Sequence, residues 1–167
     1  APDVENVYVW AQPDEEPAFI ELLSVTPAGQ PGAASSGSPT ISADGTLVAF
    51  ESVSTDLAAL DEQPVVAPFV VLVDRPAGTA GVVADDARLP ALSTDGTRLV
   101  HQRADALRVV SLGDGGAIAD DRLLAGVDPH GSAAISGHGR WIMFASSAPL
   151  LADDTDTDSD IWAADLR

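Results

Sequence analysis

Three stretches of this chain repeat one another, and an internal repeat constrains a fold more than any single motif. Residues 38–45 read SPTISADG, residues 89–96 read LPALSTDG, and residues 132–139 read SAAISGHG. Each runs on into an apolar segment: TLVAFES from Thr46, TRLVHQR from Thr97 and RWIMFAS from Arg140. The turn glycines Gly45, Gly96 and Gly139 lie 51 and 43 residues apart. That spacing is too long for a leucine-rich or tetratricopeptide repeat and fits one four-stranded propeller blade per repeat. The repeats fall at about 4–52, 53–103 and 104–167, with blade hairpins at 38–52, 89–103 and 132–146, in a single domain spanning 1–167.

The local chemistry predicts strands. Ile41 and Leu47 flank Asp44-Gly45, and Leu92 and Leu99 flank Asp95-Gly96. An Asx-Gly pair between β-rich runs is a strong hairpin signal, because the turn needs a positive φ that glycine adopts without steric penalty. The third copy places His138 where the others have Asp and keeps Gly139. Residues 69–74, 107–112 and 161–166 are the third strand of each unit, and residues 6–11 look like a further copy standing alone. Residues 20–26, 79–84 and 122–125 are the fourth strands. Almost no segment carries an apolar period of 3.6, so helix is scarce despite abundant Ala.

These residues resemble the TolB-like, WD-like β-propeller repeats of bacterial secreted and envelope proteins. The resemblance rests on residues 38–45, on Val48 to Ser52, on Asp56-Leu57 and on residues 69–74. It continues in Phe144 to Ser147, Leu150-Leu151, Asp160-Ile161-Trp162 and the segment 22–32, and covers the chain from about Asn6 to Arg167. The middle repeat departs from the pattern: after His101-Gln102-Arg103 the long loop gives way to Ala104-Asp105. The resemblance implies an all-β fold of four-stranded antiparallel blades, and says little about function.

The strand tally runs two, four, four, three. Three repeats are too few to close a ring of about four to eight blades. Open sheet edges invite pairing. The chain is therefore either part of a longer propeller or one of two copies that complete a ring of about six blades.

The densest chemistry lies in Asp153-Asp154-Thr155-Asp156-Thr157-Asp158-Ser159-Asp160. Alternating carboxylates on an anchored loop converge oxygens on a hard cation, and Ca²⁺ accepts about six to eight of them in irregular geometry. The expected ligands are Asp154, Asp156, Asp158 and Asp160, with Asp153 outside the set. The loop is no EF-hand, because its sixth position holds no Gly and its twelfth no Glu. The plain alternative is a solvated acidic loop in which Asp160 caps a turn. The equivalent loop at 56–64 has fewer acids and the repeat with Ala104-Asp105 lacks the loop, so at most one such site is expected.

Other constellations are weaker. His130 and His138 could pair with Asp128 on a transition metal, but His138 holds the turn position of Asp44 and Asp95, and His101 lies on a second strand. Ser136 stands near His138, yet Ser42 and Ser93 are its counterparts, and a hydroxyl copied in each blade caps a turn rather than attacking a substrate. No Gly-x-Ser-x-Gly surrounds it. The Ser-x-Asp-Gly turn also resembles the Asp-box of sialidase propellers, which is structural there too. No spacing selects a carboxylate pair for glycoside cleavage. Trp10, Trp141 and Trp162 either pack between blades or form a stacking platform for a ligand.

Charge narrows the partners. The 167 residues carry 26 Asp+Glu against eight basic residues, all Arg, for a net charge of −18. Nucleic acid and anionic membrane surfaces would repel such a chain; cations and basic protein patches would not. Without Cys there is no disulfide, thiolate zinc site or Cys nucleophile, and no apolar run is long enough to span a membrane as a helix. The start at Ala1-Pro2-Asp3 suits a mature end left by signal cleavage. The expected role is a non-catalytic binding or scaffold module, secreted, periplasmic or of the cell envelope, with a protein partner or self-association. The alternatives are an accessory propeller of a hydrolase whose catalytic part lies elsewhere, and an Asp-box carbohydrate-active propeller.

Overall fold

The alternation of apolar and polar residues becomes thirteen strands in four sheets in the computed structural model, which describes residues 3–13, 17–57, 65–104, 106–124 and 127–167. Sheet I pairs β1 (Tyr8–Ala11) with β2 (Phe19–Leu22). Sheet II orders β3 (Ser36–Ile41), β4 (Leu47–Ser52), β5 (Phe69–Asp74) and β6 (Thr79–Ala84). Sheet III orders β7 (Ala87–Leu92), β8 (Arg98–Arg103), β9 (Ala106–Leu112) and β10 (Ile118–Leu124). Sheet IV holds β11 (Pro129–Ile135), β12 (Trp141–Ser146) and β13 (Asp160–Asp165). All neighbours are antiparallel, as in a meander. This is an all-β partial propeller with the strand count of two, four, four and three expected from the sequence. The repeat boundary at 52/53 falls between β4 and β5 of one sheet, and that at 103/104 between β8 and β9 of another.

Several strand ends differ from the sequence reading. The hairpins begin earlier, at Ser36, Ala87 and Pro129, because the first strand of each carries a bulge. Ser38 and Leu89 adopt positive φ (50° and 53°) just before Pro39 and Pro90, so each Xaa-Pro pair is an irregularity inside a strand. The strand expected at 122–125 starts at Ile118 and ends at Leu124; Ala125 lies outside the described residues, as do Asp105 and 58–64 of the 56–64 loop. Almost every β10 side chain is exposed, so no burial alternation marked it. The strands read at 6–11 and 20–26 shorten to β1 and β2.

Alternate side chains of each sheet feed opposite interfaces. Leu47, Ala49, Val70 and Leu72 of sheet II share a buried cluster with Leu92, Leu99, Val110 and Leu112 of sheet III. Val48, Phe50, Val71 and Val73, on the other face of sheet II, join Val7 and Leu23 from the sheet I side. Val100, Leu107 and Val109 of sheet III meet Ile142 and Phe144 of sheet IV. No sheet has a core of its own; each interior face is buried by the next sheet, as in other stacked repeats.

Candidate functional site

The Asp-Gly turns come first, because they carry most of the residues that a catalytic reading would recruit. Gly45, Gly96 and Gly139 have φ of 70°, 71° and 64°. Their N–H groups donate to the carbonyls of Ser42, Ser93 and Ser136, each at 2.9 Å. Ser42 Oγ donates to Asp44 Oδ1 at 2.6 Å and accepts from Leu47 N–H at 3.0 Å, while Thr46 N–H and Oγ1 also bond that carboxylate oxygen. Ser93, Asp95, Thr97 and Arg98 repeat the set. Ser136 accepts from Trp141 N–H at 3.0 Å. The serine hydroxyls are therefore turn caps.

Hydrogen bonding sets the charge state of the turn carboxylates. The Ser42 hydroxyl, then Thr46, hold the Asp44 carboxyl below its usual range. Partial burial pushes Asp95 up, but bonds from Ser93 and Thr97 outweigh it and leave the net direction downward. Asp44 and Asp95, with Asp74 and Asp114, line a cleft of about 430 Å³ between sheets II and III. Four carboxylates around one cleft, two from each sheet, give that end of the blades a negative face.

The loop between β12 and β13 brings carboxylate oxygens of Asp154, Asp156 and Asp160 within 4.8 Å of one another. Asp158 stands outside that group; its N–H donates to Asp156 Oδ1 at 3.0 Å, closing an Asx turn that orients Asp156. Asp154 is half-buried and its N–H donates to Leu151 O, whereas Asp153 is exposed. Three converging carboxylates at the surface offer a hard cation oxygen ligands, with water free to complete the shell.

The histidines separate. His138 is 96% exposed and sits 3.7 Å from Asp95. His130 Nε2 lies 3.0 Å from Ser147 Oγ, which in turn donates to Asp128 Oδ2 at 2.8 Å. This Asp128-Ser147-His130 chain escaped the sequence reading, because Ser147 lies 17 residues beyond His130 and only the β11–β12 pairing joins them. The hydroxyl proton points at Asp128, so His130 does not activate Ser147 as a base would. His130, His138 and Asp128 do not form a ligand set among the described residues. Trp162 packs with the cluster between sheets III and IV, whereas Trp10 and Trp141 are 64% and 44% exposed.

No protein-family model matches the sequence, and no curated protein matches it. Solved structures do match. TolB from Acinetobacter baumannii superposes with a TM-score of 0.57 over 95% of this chain and 38% of its own, at 17% identity. The fold is that of a TolB-like β-propeller. A structure assigned to TolB from Agrobacterium tumefaciens matches 99% of this chain and 60% of its own, with a TM-score of 0.51 and 19% identity. An acylaminoacyl peptidase from Pyrococcus horikoshii matches 78% of this chain and 23% of its own, with a TM-score of 0.54 and 14% identity. The chain thus spans less than two thirds of each of these proteins, from 23% to 60% of their length. No helix among the described residues is long and apolar enough to cross a membrane.

Proposed function

We propose that this TolB-like chain is a non-catalytic binding or scaffold module of a secreted or cell-envelope bacterial protein, that it engages protein partners with basic surfaces, and that its acidic loop takes Ca²⁺. One observation carries the non-catalytic reading. The hydroxyls and carboxylates repeated from blade to blade are bonded to one another and to backbone within turns, so none of these serines stands against a free base. The acidic cleft and the net charge of −18 favour basic partners and speed their encounter at low salt. A second reading, an accessory propeller of a hydrolase, is favoured by the likeness to the peptidase, of which this chain spans 23%.

Immobilised chain offered basic and acidic peptides should retain the basic ones and release them as salt rises; equal retention of both classes overturns the reading, as does turnover of peptide or glycoside substrates. Calorimetric titration with Ca²⁺ after chelator treatment tests the loop. Binding to the folded state alone raises stability by about 2.7 kcal/mol at a hundredfold excess over Kd. Asp156→Asn/Asp158→Asn should abolish both the heat and the melting shift.

A further inference from the structure

Two of the three turn glycines have their carbonyls capped by an arginine of this chain. Arg75, just after β5, donates from Nη1 to the Gly45 carbonyl at 2.6 Å, and from Nε and Nη2 to Glu21 Oε2 at 2.9 and 2.7 Å. Arg98, the second residue after Gly96, donates from Nη1 to the carbonyls of Gly139 at 2.9 Å and Leu166 at 3.2 Å. At the Gly96 turn both of the places that supply an arginine elsewhere are leucine. Leu112 holds the place of Arg75: its N–H donates to the Thr97 carbonyl as that of Arg75 donates to Thr46. Leu47, the second residue after Gly45, holds the place of Arg98. Its Cδ1 would lie 3.3 Å from a Cβ on Gly96, as Arg98 Cδ would lie 3.0 Å from one on Gly139. Among the described residues no arginine donates to the Gly96 carbonyl.

Space and charge stand where that guanidinium is missing. Leu47, Gly96 and Leu112 line the cleft of about 430 Å³ between sheets II and III, with Asp44, Asp74, Asp95 and Asp114 around them. Both sheets have four strands, so the cleft lies between two whole blades. Among the described residues no arginine pairs with any of the four carboxylates. The turn bonds of Asp44 and Asp95 all fall on Oδ1. Asp74 Oδ2 faces the Asp114 turn, 2.9 Å from where a Cβ on Gly115 would stand. Past Asp74 and Gly115 the cleft continues as a groove of about 240 Å³ lined by Leu72, Gly81, Gly116 and Ile118. A Cβ on Gly81 would meet nothing within 4 Å.

We infer that this cleft takes an arginine side chain presented on an extended segment of a partner protein, its guanidinium donating to the Gly96 carbonyl and to the carboxylates of Asp74 and Asp114, with the adjoining small or apolar residue lying over Gly81 and Leu72. The inference rests on the reading of basic partners and narrows it to one cation and one place. Charge complementarity selects a cation, and the chain's own pattern selects which. Arg75 and Arg98 each use the planar fork to reach a turn-glycine carbonyl and a second acceptor at once. A lysine ammonium is a compact, strongly hydrated point charge without that fork. An arriving guanidinium also relieves the repulsion among four carboxylates that no arginine of the described chain relieves.

The test is calorimetric titration of the 167-residue chain, without Ca²⁺, using two short blocked peptides that differ only in one central arginine or lysine among small apolar residues. The arginine peptide should bind about tenfold more tightly, the worth of one charge-assisted hydrogen bond. Asp74→Asn/Asp114→Asn should remove the preference with unchanged circular dichroism. Asp156→Asn/Asp158→Asn, which discharges as many carboxylates in the acidic loop, should keep it. Asp114→Asn alone, on an exposed turn, serves if the first double variant unfolds. Equal affinity for the two peptides, no binding of either, or equal losses in the two double variants would overturn the inference. Polybasic peptides still retained on the immobilised chain in any of these cases would leave the reading of basic partners standing, and their loss would remove that as well.

Discussion

His101 sits on β8 at the position that Phe50 and Phe144 occupy in sheets II and IV, five residues after the turn glycine. It is fully buried, and neither ring nitrogen has a hydrogen-bond partner. Burial pushes its pKa down from the ordinary histidine value, so the folded protein holds it neutral. The unfolded chain takes up a proton below about pH 6.5 that the folded chain refuses. Stability is therefore full above that pH and falls as the pH drops toward the folded value. Urea midpoints should decline from pH 7.5 to pH 5, and His101→Phe should flatten this decline while leaving the protein at least as stable at neutral pH. An unchanged slope in the Phe variant would remove His101 as its source. The sequence placed His101 on a second strand, since Gly96 fixes the count. It did not tell that this histidine goes unpartnered, because that depends on which side chains the neighbouring sheet brings to the ring.

At the scale of the element, the hairpins and the outer strand β6 were legible, with β6 falling at the expected 79–84, whereas the outer strand β10 was not. The β3–β4 and β7–β8 turns announce themselves through Asp-Gly, and Gly45 and Gly96 adopt the positive φ that the pair requires. A Cβ at Gly96 would meet Leu47 Cδ1 at 3.3 Å and would force a β-branched residue into the left-handed region if it were valine. Gly96→Val should thus cost about 1–3 kcal/mol, read as a lower denaturant midpoint. An equal midpoint would count against the turn's conformation. By contrast, β10 reads IADDRLL and lies exposed along nearly its whole length. It is held by main-chain pairing to β9 and by the Arg108–Asp121 ion pair at 2.8 Å, neither of which leaves an apolar pattern. The acidic loop was legible as a charge cluster. Which three of its carboxylates converge was not, because the Asx turn at Asp156 sets their directions.

At the scale of the molecule, the arc is tied across its sheet interfaces by arginine. Arg75 reaches Glu21 of sheet I at 2.7 Å and the Gly45 carbonyl at 2.6 Å. Arg98 and Arg122 of sheet III both donate to the Leu166 carbonyl just beyond β13. With 26 acidic residues against eight arginines, most carboxylates have no such partner and repel one another through solvent. Added NaCl screens that repulsion, the Debye length shrinking from about 30 Å at 0.01 M to about 3 Å at 1 M. The melting temperature should accordingly rise with salt over that range; a fall would mean that the arginine ties outweigh the net charge.

The turns also touch one another directly. Ala43 N–H donates to the Thr94 carbonyl at 2.8 Å and Asp95 N–H to the Gly137 carbonyl at 2.9 Å, so the three hairpin tips are joined main chain to main chain. A peptide group is common to every residue, and such a joint makes no demand on side-chain identity. A newly duplicated blade would inherit it complete, before any substitution had adapted its flanks to new neighbours. Sequence drift at the tips, such as His138 standing where its siblings keep Asp, leaves the joint intact. The array can therefore lengthen by copying and diverge afterwards, with its pitch held by atoms that mutation does not change.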